Sequence, residues 1–208
     1  MTTQQSTVED WTSALAESTG SPGGGAGTGV MLAVAASLTS MVAGYSDGDE
    51  VEGIRTRAQD LRRTALKLAD EDATASRAFG AAFRLEKGPE RDEAIRSASV
   101  DAAKASAVLG DRAIGAIDDL AWLAHNGNKA LVADVVVAFG ALRAAVAGAR
   151  TNVSFDLASL RSAGSTLEEV RGQHPRLWSA VEKLTAALDR IDGLTAAIDD
   201  RAAPTDSI

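Results

Sequence analysis

The chain contains no cysteine, which excludes disulfides, thiolate metal ligands and thiol catalysis. It has two histidines, His125 and His174, too few for a zinc site built on imidazoles. No metal site and no cofactor are expected. Aromatic residues make up 4% of the chain. Strands favour aromatic and β-branched side chains, so an Ala-, Val- and Leu-rich chain with few aromatics points to closely approaching helices. Basic residues are outnumbered, 21 against 29 acidic, for a formal net charge of −8. That argues against a nucleic-acid face, although a local Lys/Arg cluster could still receive a small anion. The longest apolar stretch, roughly Val30 to Val42, includes Ser37, Thr39 and Ser40 and falls short of the ~20 residues of a membrane span. The N-terminus carries Glu9 and Asp10 and no basic cluster before an apolar run, unlike a secretory signal. A soluble, cytoplasmic protein is expected.

What is present is ordinary for a folded chain: 45% hydrophobic and 24% charged residues in a length of 208. The expected fold is all-α, a single-domain bundle over 1–208 of long, mostly antiparallel helices around a central small-residue helix. Residues 199–208 read as a frayed tail. Thr7, with Asp10 three residues later, caps a short helix bearing Val8, Trp11 and Leu15. Gly20 to Gly29 is the one strongly biased segment, and Val30 to Gly44 after it is apolar on nearly every side, as suits the middle of a bundle. Val51, Ile54, Ala58, Leu61, Ala65 and Leu68 form the clearest helical stripe, continued by Ala75, Phe79 and Ala82 and closed by Gly88-Pro89. Ile95 to Leu109 carries the next stripe, with a weak point at Gly110, and Ile117 and Leu120 extend it. Asn126-Gly127-Asn128 separates this from a stripe over Leu131 to Val146 that reaches Asn152. Leu177 to Ile191 marks the last helix, with Pro175 near its start.

Asp72 is out of place. It stands four after Leu68 and three before Ala75, where the stripe calls for an apolar side chain. A carboxylate there is costly to bury unless it is paired, hydrogen-bonded or facing a cavity. Two readings are open: a general acid or base with a raised pKa, or a buried ion pair with an arginine such as Arg77 or Arg112. Asp70 and Glu71 lie off the stripe and read as solvated. Asp134, beside Val135 at the edge of its stripe, poses the same question more faintly. The glycine segment has no Gly-Lys pair and no preceding strand, so the Walker and dinucleotide loops are excluded. Two readings remain, bare backbone against an anion or flat ring, and a tight turn where helices touch. His125 suits a cap on the preceding helix's carbonyls. Arg84, Lys87 and Lys129 fit either solvated helix ends or partners for a ligand carboxylate.

Four motifs then fall in one order. Ser21-Pro22-Gly23-Gly24-Gly25 precedes a small-residue helix ending Ser40-Met41-Val42. Ala69-Asp70-Glu71-Asp72-Ala73 follows, then Gly127-Asn128 with Asp134, then Asn152-Val153 with Leu157. Together they resemble the formiminotransferase-cyclodeaminase C-terminal family, which includes stand-alone methenyltetrahydrofolate cyclohydrolases. The resemblance implies an all-helical homodimer with folate in a groove lined by the glycine loop. It further implies an enzyme of one-carbon metabolism acting on the N5/N10 bridge of tetrahydrofolate without metal or redox cofactor, either a 5-formiminotetrahydrofolate cyclodeaminase or a 5,10-methenyltetrahydrofolate cyclohydrolase. Asp72 and Asp134 would be catalytic. Pro22, Gly23, Gly24, Gly25, Arg84, Lys87, Asn128 and Asn152 would bind substrate. The chain departs from the family pattern at Ser76, where Phe is usual, at Leu85-Glu86-Lys87, usually Leu-Pro-Lys, at Asp156, usually Asn, and at Ala43-Gly44-Tyr45, usually Asn-Leu-Thr. Those departures leave open a rival reading, a helical folate-binding or structural dimer without catalysis.

Overall fold

A computed structural model describes residues 2–162 and 164–202, with the backbone alone at 162 and 199–202. Among the described residues the regular structure is helical: α1 (Val8–Ala16), α2 (Gly24–Gly44), α3 (Val51–Phe83), α4 (Pro89–Ile114), α5 (Ile117–Asn126), α6 (Val132–Ser162), α7 (Leu167–Gln173) and α8 (Pro175–Ala202), with 3-10 turns at Thr3–Gln5 and Lys129–Leu131.

The long helices alternate in direction, and small residues set how closely they approach. A Cβ on Gly29 of α2 would lie 2.8 Å from Ala69 Cβ of α3, and one on Gly148 of α6 would lie 2.3 Å from Thr28 Oγ1. The N-terminal turns of α2 therefore meet the middle of α3 and the C-terminal half of α6. At its other end, Tyr45 and Ser46 bond to Asn128, just ahead of α6, so α2 and α6 run antiparallel. The core joins Leu32 and Val42 of α2, Ile54 of α3, Leu109 of α4, Phe139 and Leu142 of α6, and Leu184 and Ile191 of α8. Each such side chain, fully buried, contributes about 1.5–3 kcal/mol of hydrophobic stabilisation. A second cluster around Val153, Leu157, Leu160, Val170 and Leu177 closes the end that α7 covers. Exposed ion pairs link Arg57 to Asp119, Arg143 to Asp192 and Arg190 to Asp118 across helices, and add little each.

Several expectations need correction. The break after α4 falls at Gly115-Ala116, and the helix passes straight through Gly110. Gly110 is small because Leu184 Cδ2 would sit 2.7 Å from a Cβ there. The helix at the end of the chain continues to Ala202, so 199–202 are helical; 203–208 lie outside the described residues. The short helix α7 was not foreseen; Thr166 and Glu169 cap it reciprocally. Asp70 is no solvated bystander: its carboxylate accepts from Thr3 N–H at 2.8 Å and Thr3 Oγ1 at 2.6 Å, tying the N-terminal segment to α3. By length and composition, the helices over Gly24–Gly44 and Lys129–Arg161 could cross a membrane, so the apolar stretches are longer than the run Val30 to Val42 suggested. In this fold the two pack on each other. The helix α2 is covered on two sides, and on the third Met31, Val34 and Met41 stay exposed.

Candidate active site

Asp72 continues the buried line Ala65-Ala69 on α3 and is 9% exposed. Its carboxylate lies flat against the first turn of α2. A Cβ on Gly25 would fall 2.0 Å from Asp72 Oδ1 and 2.4 Å from Oδ2, so only glycine leaves room for the carboxylate at that point. Burial pushes the Asp72 carboxyl up from its ordinary value. The Ser76 hydroxyl, donating over a long 3.4 Å, and the backbone N–H of Ala26 pull the other way by holding the anion. That N–H belongs to the first turn of α2, where unsatisfied donors and the helix dipole favour negative charge.

The ion-pair reading of Asp72 does not hold. Among the described residues no cation pairs with it; Arg77 donates instead to Ser21 Oγ at 3.0 Å and Thr74 Oγ1 at 2.9 Å. Ser21 Oγ in turn donates to Ala73 O at 3.0 Å, which pins the Ser21-Pro22 end of the loop to α3 beside Asp72. Pro22, Gly23 and Gly25 are half-buried there and Gly24 is exposed.

The α6 side is a line of residues four apart, which shares one helix face. Gly148 meets Thr28, Asn152 stands one turn on, and Asp156 one turn further. Burial pushes the Asp156 carboxyl up to about 7, and the Asp72 charge adds in the same direction. In the sequence Asp156 is visible only as a departure from the family pattern; its place one turn after Asn152, beside Leu157, is the signal available there.

The remaining candidates lie elsewhere in this chain. Asp134 sits in the first turn of α6, and the 22 residues from there to Asp156 span about 33 Å of continuous helix at 1.5 Å per residue. Within one chain it does not join Asp72. Asn128 spends its side chain on the fold: Nδ2 donates to Tyr45 O at 3.0 Å and Oδ1 accepts from Ala130 N–H at 3.0 Å, while its own N–H donates to Ser46 Oγ at 2.9 Å. Arg84 and Lys87 are exposed at the α3–α4 connection, Arg84 about 18 Å along α3 from Asp72 by helical rise. His125 stays local, Nδ1 lying 3.1 Å from Ala121 O, and Lys129 caps the His125 carbonyl. An apolar cavity of about 610 Å³ between α6, α7 and α8, lined by Leu157, Arg161 and Trp178, includes none of the expected site residues.

These features define a helical bundle in which a glycine-opened helix end seats one buried carboxylate with no cation paired to it among the described residues, while α6 carries a second carboxyl whose pKa is held up by burial. Residues 7–171 match the family model described as Formiminotransferase-cyclodeaminase, and the chain belongs to that family. It is 30% identical over 160 residues to a methenyltetrahydrofolate cyclohydrolase of Methylorubrum extorquens, covering 71% of this chain and 77% of that protein. The crystal structure of formiminotetrahydrofolate cyclodeaminase from Thermotoga maritima shares the fold, with a TM-score of 0.77 at 23% identity over 95% of this chain and 96% of that one.

Proposed function

We propose that this chain is an enzyme of the tetrahydrofolate one-carbon bridge, a 5,10-methenyltetrahydrofolate cyclohydrolase with Asp72 as its proton-handling carboxylate. The observation that carries the reading is the seat of Asp72: a buried carboxylate against Gly25, held by the Ala26 N–H and the Ser76 hydroxyl, with no cation paired to it among the described residues. The methenyl bridge is an amidinium bearing one positive charge over two nitrogens, and an unpaired carboxylate in a poorly solvated place steadies such a charge strongly.

Hydrolysis then needs proton traffic alone. As water adds to the bridge carbon, one of its protons passes to Asp72. The neutral adduct collapses: its hydroxyl gives up a proton, the C–N5 bond breaks, N5 gains a proton and the formyl group stays on N10. One proton is left over and leaves for solvent, restoring the Asp72 anion. Neither a metal nor a redox cofactor is required by these steps. The related deamination, in which N10 attacks the formimino carbon and ammonia departs, needs the same group at the same carbon. The cyclohydrolase among the relatives, at 30% identity, favours hydrolysis here.

The proposed working form is a cytoplasmic homodimer. An uncharged face supports it: Met31, Val34 and Met41 of α2 stand exposed, α2 has no charged residue at all, and Val137 and Ala144 of α6, which packs on α2, are exposed as well. Such faces mark association surfaces. Antiparallel two-fold pairing of the α2 faces would lay the Asn128–Asp134 end of a second copy beside the glycine loop of the first, giving Asp134 a route to the site. The test is the methenyltetrahydrofolate absorbance band with purified protein. Accelerated decay supports the reading, appearance of the band from the formimino substrate would reassign the chain to deamination, and neither change together with no folate binding by calorimetry would leave the non-catalytic alternative.

A further inference from the structure

The helix α3 runs on past Asp72 to Phe83, whereas α2, antiparallel to it, begins at Gly24 with Gly25 already against Asp72. The body of α2 therefore covers none of the last turns of α3. On those turns, steps of four, three and four residues lead from Asp72 to Ser76, Phe79 and Phe83, all on one helix face. The Ser76 hydroxyl donates to Asp72 at 3.4 Å, so this face is continuous with the carboxylate's seat. The Phe79 and Phe83 rings lie against each other, centroids 4.8 Å apart and tilted by 46°. Phe79 is half-buried and Phe83 is 44% exposed. From the first turn of α4, the Arg91 guanidinium stands 5.6 Å from the centre of the Phe83 ring and donates through Nε to Phe83 O at 3.4 Å. Among the described residues no carboxylate pairs with Arg91: Glu93 is taken by Arg96, and Glu86, Glu90 and Asp92 form no ion pair with it.

We propose that Phe79, Phe83 and Arg91 form a subsite for the arylamide arm of the substrate, the two rings receiving the aromatic ring attached to N10 and Arg91 the carboxylate at the end of the arm. This deepens the folate reading and rests on it for the identity of the substrate. The order of groups along α3 matches the order along such a molecule. Asp72 faces the cationic bridge, the phenylalanines come next, and the cation comes last. Aromatic side chains on a helix lean back toward its N-terminus, so the Phe79 ring stands about one turn above Asp72 and the Phe83 ring about two. One turn is where a ring bonded directly to N10 must lie. The family resemblance leads one to expect Phe at position 76; Ser occupies it here, and Phe79, reaching back from three residues beyond, supplies a ring at that level. The reversed arrangement would send the carboxylate along α2, which has no ionisable side chain.

Arg91 is the residue that reads the end of the arm. Its contacts with the Phe83 ring and carbonyl hold the guanidinium in place, and no hydrogen bond engages its Nη groups among the described residues. A planar fork fixed in this way suits a carboxylate. It takes no part in the proton traffic at the bridge carbon, so it acts on binding and on the choice of substrate rather than on the chemical step.

Two measurements on the intact protein test this. The first compares methenyltetrahydrofolate with the same methenyl compound carrying an aryl ring but no glutamate. Wild type is expected to favour the glutamate-bearing substrate about tenfold in kcat/KM, as a charge-assisted hydrogen bond provides. Arg91→Gln should raise KM for that substrate about tenfold with kcat within about twofold, and leave the substrate without glutamate unchanged; Arg91→Lys should recover part of the loss. Phe83→Ala should raise KM severalfold for both, since both carry the ring. An Arg91→Gln enzyme that weakens on both substrates alike, or on neither, overturns the subsite. The second titrates p-aminobenzoylglutamate alone into protein with ¹³C-labelled phenylalanine, four residues in all, followed by NMR. The Phe79 and Phe83 signals, assigned through Phe79→Leu and Phe83→Leu, should shift in wild type and stay still in Arg91→Gln, with Phe139 of the core unmoved in both. No shift at either ring in wild type overturns the proposal. A chain inactive on both methenyl compounds refutes the reaction assigned above, and the fragment titration then decides the subsite by itself.

Discussion

At the scale of single residues, Asp72 stands out because the sequence broke its own rule there. An apolar stripe with one carboxylate in it can be read without coordinates, but the stripe could not say whether an arginine waited opposite. The fold answers with Gly25 and the Ala26 N–H. Gly25→Ala should therefore be severe for its size: a methyl 2.0 Å from Asp72 Oδ1 must expel the carboxylate or part the helices. Activity is expected to fall at least as far as in Asp72→Asn, with stability lower by about 1–3 kcal/mol by denaturant titration. Asp156 makes a second prediction. Its folded pKa lies above that of the unfolded chain, so the native state loses stability as pH rises from about 4 to about 7 and recovers none beyond. Asp156→Asn removes that loss. Its Tm should exceed wild type by a few degrees at pH 8 and match it near pH 4; a Tm difference independent of pH would contradict the assignment. Asp156 was hidden in the sequence because its meaning comes from α3, 84 positions away in the chain.

At the scale of elements, periodicity located the long helices, since burial of one face is what writes a three-and-four spacing. It failed where packing, not propensity, chose the residue. Gly110 looked like a break, yet it is the point where Leu184 presses on α4, and the turn comes five residues later. Asn128 looked like a ligand group because it lay in a motif, but two of its hydrogen bonds fasten the end of α2 to the start of α6 and the third caps the 3-10 turn between. The α2–α3 contact supplies the prediction at this scale. Gly29→Val would push β-branched bulk onto Ala69 Cβ, 2.8 Å from the nearest possible Cβ, and onto Ala65 O at 3.0 Å. A loss of about 1–3 kcal/mol is expected, and because Gly29 lies one turn above Gly25, turnover should fall with it. A variant of wild-type stability would show that the two helices have slack between them.

At the scale of the whole molecule, the all-helical class followed from composition, while the outer face of α2 did not. A helix apolar all round suggested complete enclosure; instead Met31, Val34 and Met41 face outward. No pattern within one chain distinguishes a face buried by its own bundle from one buried by a second copy, since both are apolar. Val34→Asp places a charge in the middle of that face, so sedimentation should find wild type as a dimer and the variant as a folded monomer with unchanged helicity. A monomeric wild type would leave Asp134 without a route to Asp72. The central claim is the chemistry assigned to Asp72, and single-turnover decay of the methenyltetrahydrofolate band tests it most directly. Asp72→Asn, with its fold and folate affinity checked in parallel, is predicted to slow that decay by about 10²–10⁴-fold. Decay at the wild-type rate in a folded, folate-binding Asp72→Asn protein would contradict the account.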